Sequence, residues 1–216
     1  MKLIFKLVMV AVVVVVLAEG SAHYFLQSEI VAAVAKRDPS AEDVSAGVEF
    51  PMLWQLAAHG SVPRVTVSAR HVNLSTLTAD KVTAVARGVH MNMVGSLADR
   101  QADVTRIDRI DLTVTFTDKE ASALLPPGNS FVFGAGTVTI KGLATSITGR
   151  FQLEPPARIV FAVEGLKIPG FPSLPAISIP VRPLASCVQG IRLTPGYLMI
   201  TCVETNPTTT DFLPHR

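Results

Sequence analysis

The side chains that could carry chemistry are few and scattered. The five histidines, His23, His59, His71, His90 and His215, form no HxH pair and no HExxH, so their spacing offers no metal site. No GxSxG marks a nucleophile elbow. Gly134-Ala135-Gly136 lacks the third glycine and the following helix of a dinucleotide site, and a turn between strands accounts for it. Asp108 and Asp111 would be a candidate carboxylate pair for acid–base work. Residues three apart on a strand point to opposite faces, however, and Arg106 and Arg109 are interleaved with them. The four read as a solvated charged edge. The sequence therefore predicts no catalytic residue, no metal ligand and no cofactor.

Cys187 and Cys202 are the only cysteines, with no CxxC. Between them Thr194-Pro195-Gly196-Tyr197 is a turn signal. A hairpin about that turn would bring the two cysteines close to diagonal positions, and an oxidising compartment would then permit a disulfide. The alternative is a pair of buried thiols.

The chain of 216 residues is 49% hydrophobic and only 17% charged, with a formal net charge of +2. That composition excludes a disordered or acidic-tail protein. Without residues 1–22, which remove Lys2, Lys6 and Glu19, the balance is 17 basic to 16 acidic residues. A body so nearly neutral has no electrostatic footprint for nucleic acid.

Lys2 and Lys6 precede an unbroken apolar run of 12 residues, Leu7 to Ala18, followed by Glu19-Gly20-Ser21-Ala22. Small residues at Gly20 and Ala22 suit a signal-peptidase cut before His23. The run is short for a bilayer span of ~20 residues, yet Leu3 to Ala18 could serve as an anchor if Lys6 snorkels. Residues 1–22 are thus a signal peptide or a membrane anchor, 23–205 the body, and 206–216 a polar tail.

The body begins with a helical stretch whose Phe25, Ile30, Val31, Val34 and Ala35 share a face, ended by Asp38-Pro39-Ser40. Strands then dominate. Val44, Ala46, Val48 and Phe50 alternate with polar residues, as do Val65, Val67 and Ala69, and Leu112, Val114 and Phe116. Pro51 opens a short helix over Met52–His59. A strand over Lys81–Ala86 continues through Val89, Met91 and Met93 after a change of phase at Arg87-Gly88, which suggests a bulge. Thr117 to Glu120 is a capping box for a helix through Leu125. Further strands are expected at Ser130–Phe133, Thr137–Ile140, Ile147–Leu153, Ile159–Val163, Leu166–Ile168, Ile177–Ile179, Ile191–Leu193 and Leu198–Val203. Ten of the 15 prolines lie beyond residue 150, spacing strands and blunting edges. No low-complexity linker divides the body, so one β-rich domain is predicted.

Glu49-Phe50-Pro51-Met52-Leu53-Trp54-Gln55-Leu56-Ala57-Ala58-His59-Gly60, with Arg64-Val65-Thr66-Val67-Ser68-Ala69-Arg70-His71-Val72 after it, resembles the DUF2993 family of actinobacteria, the LmeA-like phospholipid-binding proteins. Thr117–Leu125, Leu174–Leu184 and Ile191–Leu198 resemble later blocks of that family, in order and at its spacing. Glu49 and Met52 depart from its usual Gly and Phe. The resemblance implies an α+β, β-rich, tubular-lipid-binding-like fold, a curved antiparallel sheet around a long helix. It implies an exported protein of a mycobacterium-like cell envelope, in the periplasm or on the outer face of the plasma membrane. It also implies phospholipid as partner and, for the best-known member, a part in maintaining lipomannan and lipoarabinomannan, with envelope glycolipid-assembly proteins as further partners.

The expectation is then a non-catalytic module that buries acyl chain, at ~0.8 kcal/mol per CH₂, in an apolar interior. The candidate lipid-facing residues are Phe50, Leu53, Trp54, Leu56, Val82, Val85, Met91, Met93, Phe131 and Phe133. Arg64 and Arg70 could meet a phosphate at a rim. The alternative is a structural or accessory envelope protein that holds a protein partner through an apolar surface.

Overall fold

The computed structural model describes residues 22, 24–36, 38–49, 52–74, 77–92, 104–142, 146–154, 158–162 and 187–207. Phe50, Met93, the strands expected at 166–168 and 177–179, most of residues 1–22 and most of the polar tail lie outside them.

The elements follow the alternation of the sequence. Residues 24–36 form helix α1. β1 (Glu42–Val48), α2 (Met52–His59), β2 (Ser61–Asn73), β3 (Thr78–Met91), β4 (Val104–Thr117) and α3 (Asp118–Ser122) follow. Then come β5 (Ser130–Phe133), β6 (Val138–Lys141), β7 (Ser146–Glu154), β8 (Arg158–Ala162), β9 (Val188–Thr194) and β10 (Tyr197–Thr205). One sheet has the order β1-β2-β3-β4-β10-β9 and the other β5-β6-β7-β8, with every pairing antiparallel.

Among the described residues there are two antiparallel sheets and short helices, and a sheet curled around a long helix is not seen. Over β4, β10 and β9 the inner face of the larger sheet packs on the smaller sheet. Val114 and Phe116 of β4 and Leu198 and Ile200 of β10 share a core with Phe131, Phe133, Val138 and Phe161. The phenylalanines supply the reason. Phe151 lies 5.8 Å from Phe131, 6.3 Å from Phe133 and 6.1 Å from Phe161, ring centre to ring centre. Each such ring removes far more carbon from water than a helical Ala or Val could.

Helix α1 instead covers a second, smaller core with Leu26, Val48, Leu56, Val62, Val65 and Val89. Leu26 is buried and Ile30, one turn on, packs beside it, the i, i+4 spacing of one helical face. Phe25, expected on that face, is 44% exposed, and Ala35 is exposed too. The docking face is rotated by one residue from the reading that placed Phe25 on it. Asp38 ends the helix as expected and also ties it to the sheet. Its carboxylate accepts from the Ser40 amide at 3.0 Å, the Ser40 hydroxyl at 2.5 Å and the Asn73 amide at 2.8 Å. The Ser40 hydroxyl does most to hold this carboxyl below its ordinary range.

The capping box forms as read. Thr117 Oγ1 accepts from the Glu120 amide, and Glu120 accepts in return from the Thr117 amide. Helix α3 ends at Ser122 rather than Leu125, and it anchors the edge strand β5. The Phe131 amide donates to Ser122 Oγ and the Phe133 amide to Asp118 Oδ1, each at 2.8 Å. Those outward N–H groups would otherwise be an unpaired sheet edge.

Candidate functional site

The hairpin β9–β10 turns at Pro195-Gly196, where Gly196 has φ 80, a value that suits the third position of a Pro-Gly turn. Its amide donates to the Phe133 carbonyl at 3.1 Å, and its carbonyl accepts from the Asp118 amide at 3.3 Å. The turn thus joins the two sheets. Cys187 and Cys202 form a disulfide with Cα atoms 4.9 Å apart, both buried within the core between the sheets. Cys202 pairs with Val188, so Cys187 sits diagonally to it, as the hairpin reading required.

The smaller core is bounded by α1 and α2 on one side and by β1 to β4 on the other. Met91, Val104 and Ile107 are only partly buried around it. Its shape depends on a crease across three strands. Inward residues normally recur every second position, yet Val62 and Val65 of β2 both point into this core, as do Ala86 and Val89 of β3. Val62 faces Val89 and Arg64 faces Arg87, while Arg87 faces Arg109 and Val89 faces Ile107. Pro63, Gly88 and Asp108 therefore stand in one line, each the extra residue of its strand. Gly88 takes φ 59, and the Asp108 carboxylate occupies the place where a Gly88 side chain would be. The change of phase read at Arg87-Gly88 is thus real. It is not a bulge, because the neighbouring strands step with it. The break in register lies between His90 and Met91.

The outer face of the same sheet carries a row of arginines. Arg64, Arg87 and Arg109 face one another across β2, β3 and β4, and all three are exposed. Like charges so placed repel. Asp111 relieves the row, taking Arg109 Nε at 2.7 Å and Arg87 Nε at 3.1 Å. The Arg109 hydrogen bond is the main cause that holds the Asp111 carboxyl below its ordinary value, against a smaller opposing effect of burial. Asp108 meets Arg106 Nη2 at 2.9 Å and His90 Nε2 at 3.2 Å. These carboxylates serve ion pairs. They stand on β4, an interior strand, so they form a charged face rather than a sheet edge.

The candidate lipid-facing residues divide between these regions. Leu56 is buried in the smaller core and Met91 packs against it. Leu53 and Trp54 lie on α2, and their side chains, like all of Phe50 and Met93, fall outside the described residues. Phe131 and Phe133, 2% and 3% exposed, stack at 5.9 Å inside the larger core, with Val82 packed against it. Val85 faces Thr66 and Asp111 on the outer side of the sheet. Sequence reasoning missed Leu26, Val62, Val104 and Ile107. Val62 follows a Gly-Ser turn and Leu26 precedes Ile30 by four residues, which are the signals that could have found them.

Among the described residues no helix is long and apolar enough to cross a membrane. A family model described as LmeA-like phospholipid-binding matches residues 17–196. No curated protein and no solved structure gives a significant match.

Proposed function

Because the chain belongs to the LmeA-like phospholipid-binding family, we propose that it is an exported, non-catalytic phospholipid-binding protein of the outer face of the plasma membrane. The family match over residues 17–196 is the observation that carries this reading. Export rests on the Lys-flanked apolar run at 7–18, and the buried Cys187–Cys202 disulfide suits an oxidising compartment.

Within that reading, the acyl chains lie against the smaller core. Ile30, Met91, Val104 and Ile107 are partly buried at its margin. Methionine at such a margin adapts to irregular apolar partners. Of the residues expected to face lipid, Leu56 and Met91 belong to this site, and Leu53 and Trp54 share α2 with Leu56. Support for the upkeep of lipomannan and lipoarabinomannan, beside envelope glycolipid-assembly proteins, comes from the resemblance alone and completes the proposal.

The test is mass spectrometry of an organic extract of the natively purified protein, followed by incubation with phospholipid vesicles. Phospholipid at near-stoichiometric amount is expected. Protein that is free of lipid and also extracts none from vesicles would leave the apolar surface to a protein partner.

A further inference from the structure

We propose that His71, Asp80 and Glu120 form a binding site for a divalent transition cation, zinc above all. The three residues come from three elements that meet at one end of the larger sheet. Arg70 faces Lys81 and Val72 faces Ala79, which sets His71 and Asp80 across from each other on β2 and β3. Lys81 faces Thr115, so β4 ends beside them, and Thr117 begins the helix that carries Glu120. Each of the three offers a ligand atom, and these atoms lie within 4.8 Å of one another. A tetrahedral zinc site needs ligand atoms about 3.5 Å apart, so a bound ion would draw the three side chains closer together.

The chemistry of each group suits the role. His71 Nδ1 lies 2.9 Å from Glu42 Oε2 on β1. A neutral His71 that donates Nδ1–H to this carboxylate would offer Nε2 to a metal, the arrangement found around metal-bound histidines. Glu120 uses Oε2 for the Thr117 amide and hydroxyl, at 2.8 and 3.0 Å, and keeps its other oxygen. Asp80, only 19% exposed at its side chain, takes Arg70 Nη2 at 3.3 Å through Oδ1 and keeps Oδ2. Arg70 has a second carboxylate within reach, Asp43 at 3.8 Å. The corner gathers Glu42, Asp43, Asp80 and Glu120 against Arg70 and its ladder neighbour Lys81, so negative charge is in excess. One imidazole with two carboxylates selects zinc or manganese over magnesium and calcium, which prefer oxygen alone. A bound cation would clasp α3 to β2 and β3. Through Asp118 and Ser122, α3 also holds β5, so the clasp would reach both sheets.

The site is independent of the lipid reading and is tested separately. The full chain, stripped with a chelator, is titrated with zinc, manganese and calcium chlorides by calorimetry, and its thermal midpoint is followed. Glu120→Gln keeps the capping box, since Gln serves at that position. His71→Asn tolerates the φ of 52 found there. Asp80→Asn keeps the shape. One zinc per chain is expected, with a raised midpoint, and each variant should weaken zinc binding about tenfold or more while its metal-free midpoint stays near that of wild type. Zinc binding of equal strength in all three variants, calcium in preference to zinc, or no saturable binding would overturn the proposal.

Discussion

The two apolar cores of this molecule are built on different terms. The core between the sheets is closed by phenylalanines that touch one another, by a disulfide, and by the Gly196 turn that bonds to both β5 and α3. Among the described residues, the core under α1 has no buried aromatic side chain and no disulfide, and Ile30, Met91, Val104 and Ile107 are only partly buried at its margin. Beside it, Tyr24 and Phe25 stand 75% and 44% exposed. The difference separates two uses of the same residue types. In the proposed reading, the enclosed phenylalanine core holds the fold, and the partly enclosed carbon at the margin of the smaller core is what a lipid would meet.

Substitution can break that division. The largest effect is expected for Phe131→Ala, which opens a cavity in the closed core. It should cost about 3–5 kcal/mol, read as a lower denaturant midpoint, and it should reduce lipid retention only in proportion to unfolding. A smaller loss, about 1–2 kcal/mol, is expected for Met91→Ala, because Met91 is half buried. Here lipid retained by the folded protein should fall. Full retention by folded Met91→Ala would remove the distinction between the cores.

The smallest effect concerns the outer face. Asp111 has a folded-state value below the ordinary 3.8. Its contribution is therefore complete above about pH 4 and is lost as the pH falls through the lower folded value. Asp111→Asn should be slightly less stable at neutral pH, by up to about 1 kcal/mol for exposed pairs, with a flatter acid limb in the melt. An unchanged acid limb would show that Arg87 and Arg109 tolerate each other without Asp111.

Local signals were the legible part of the sequence. Ser130–Phe133, the Thr117–Glu120 capping box, the Pro195-Gly196 turn and the cysteine pair each depend on a few neighbouring residues, and each forms as read. What covers a strand's apolar face was not legible. Alternation shows that Phe131 and Phe133 share a side, and it is silent on whether a helix, a lipid or a second sheet lies there. The rotation of α1 that buries Leu26 and exposes Phe25 was hidden for a related reason. Both residues are apolar, and only the sheet beneath decides between them. His71, Asp80 and Glu120 have no common spacing at all, because three separate elements bring them together.

The crease at Pro63, Gly88 and Asp108 also bears on how such a chain can change over time. Side chains on a strand alternate with period two, so removing one residue from a single strand at this line would leave its two neighbours out of step. A lineage could not lose the crease one strand at a time without passing through a mispaired sheet. Insertions and deletions should therefore collect in the connections between β2, β3 and β4, while the strands themselves keep a common length through this line.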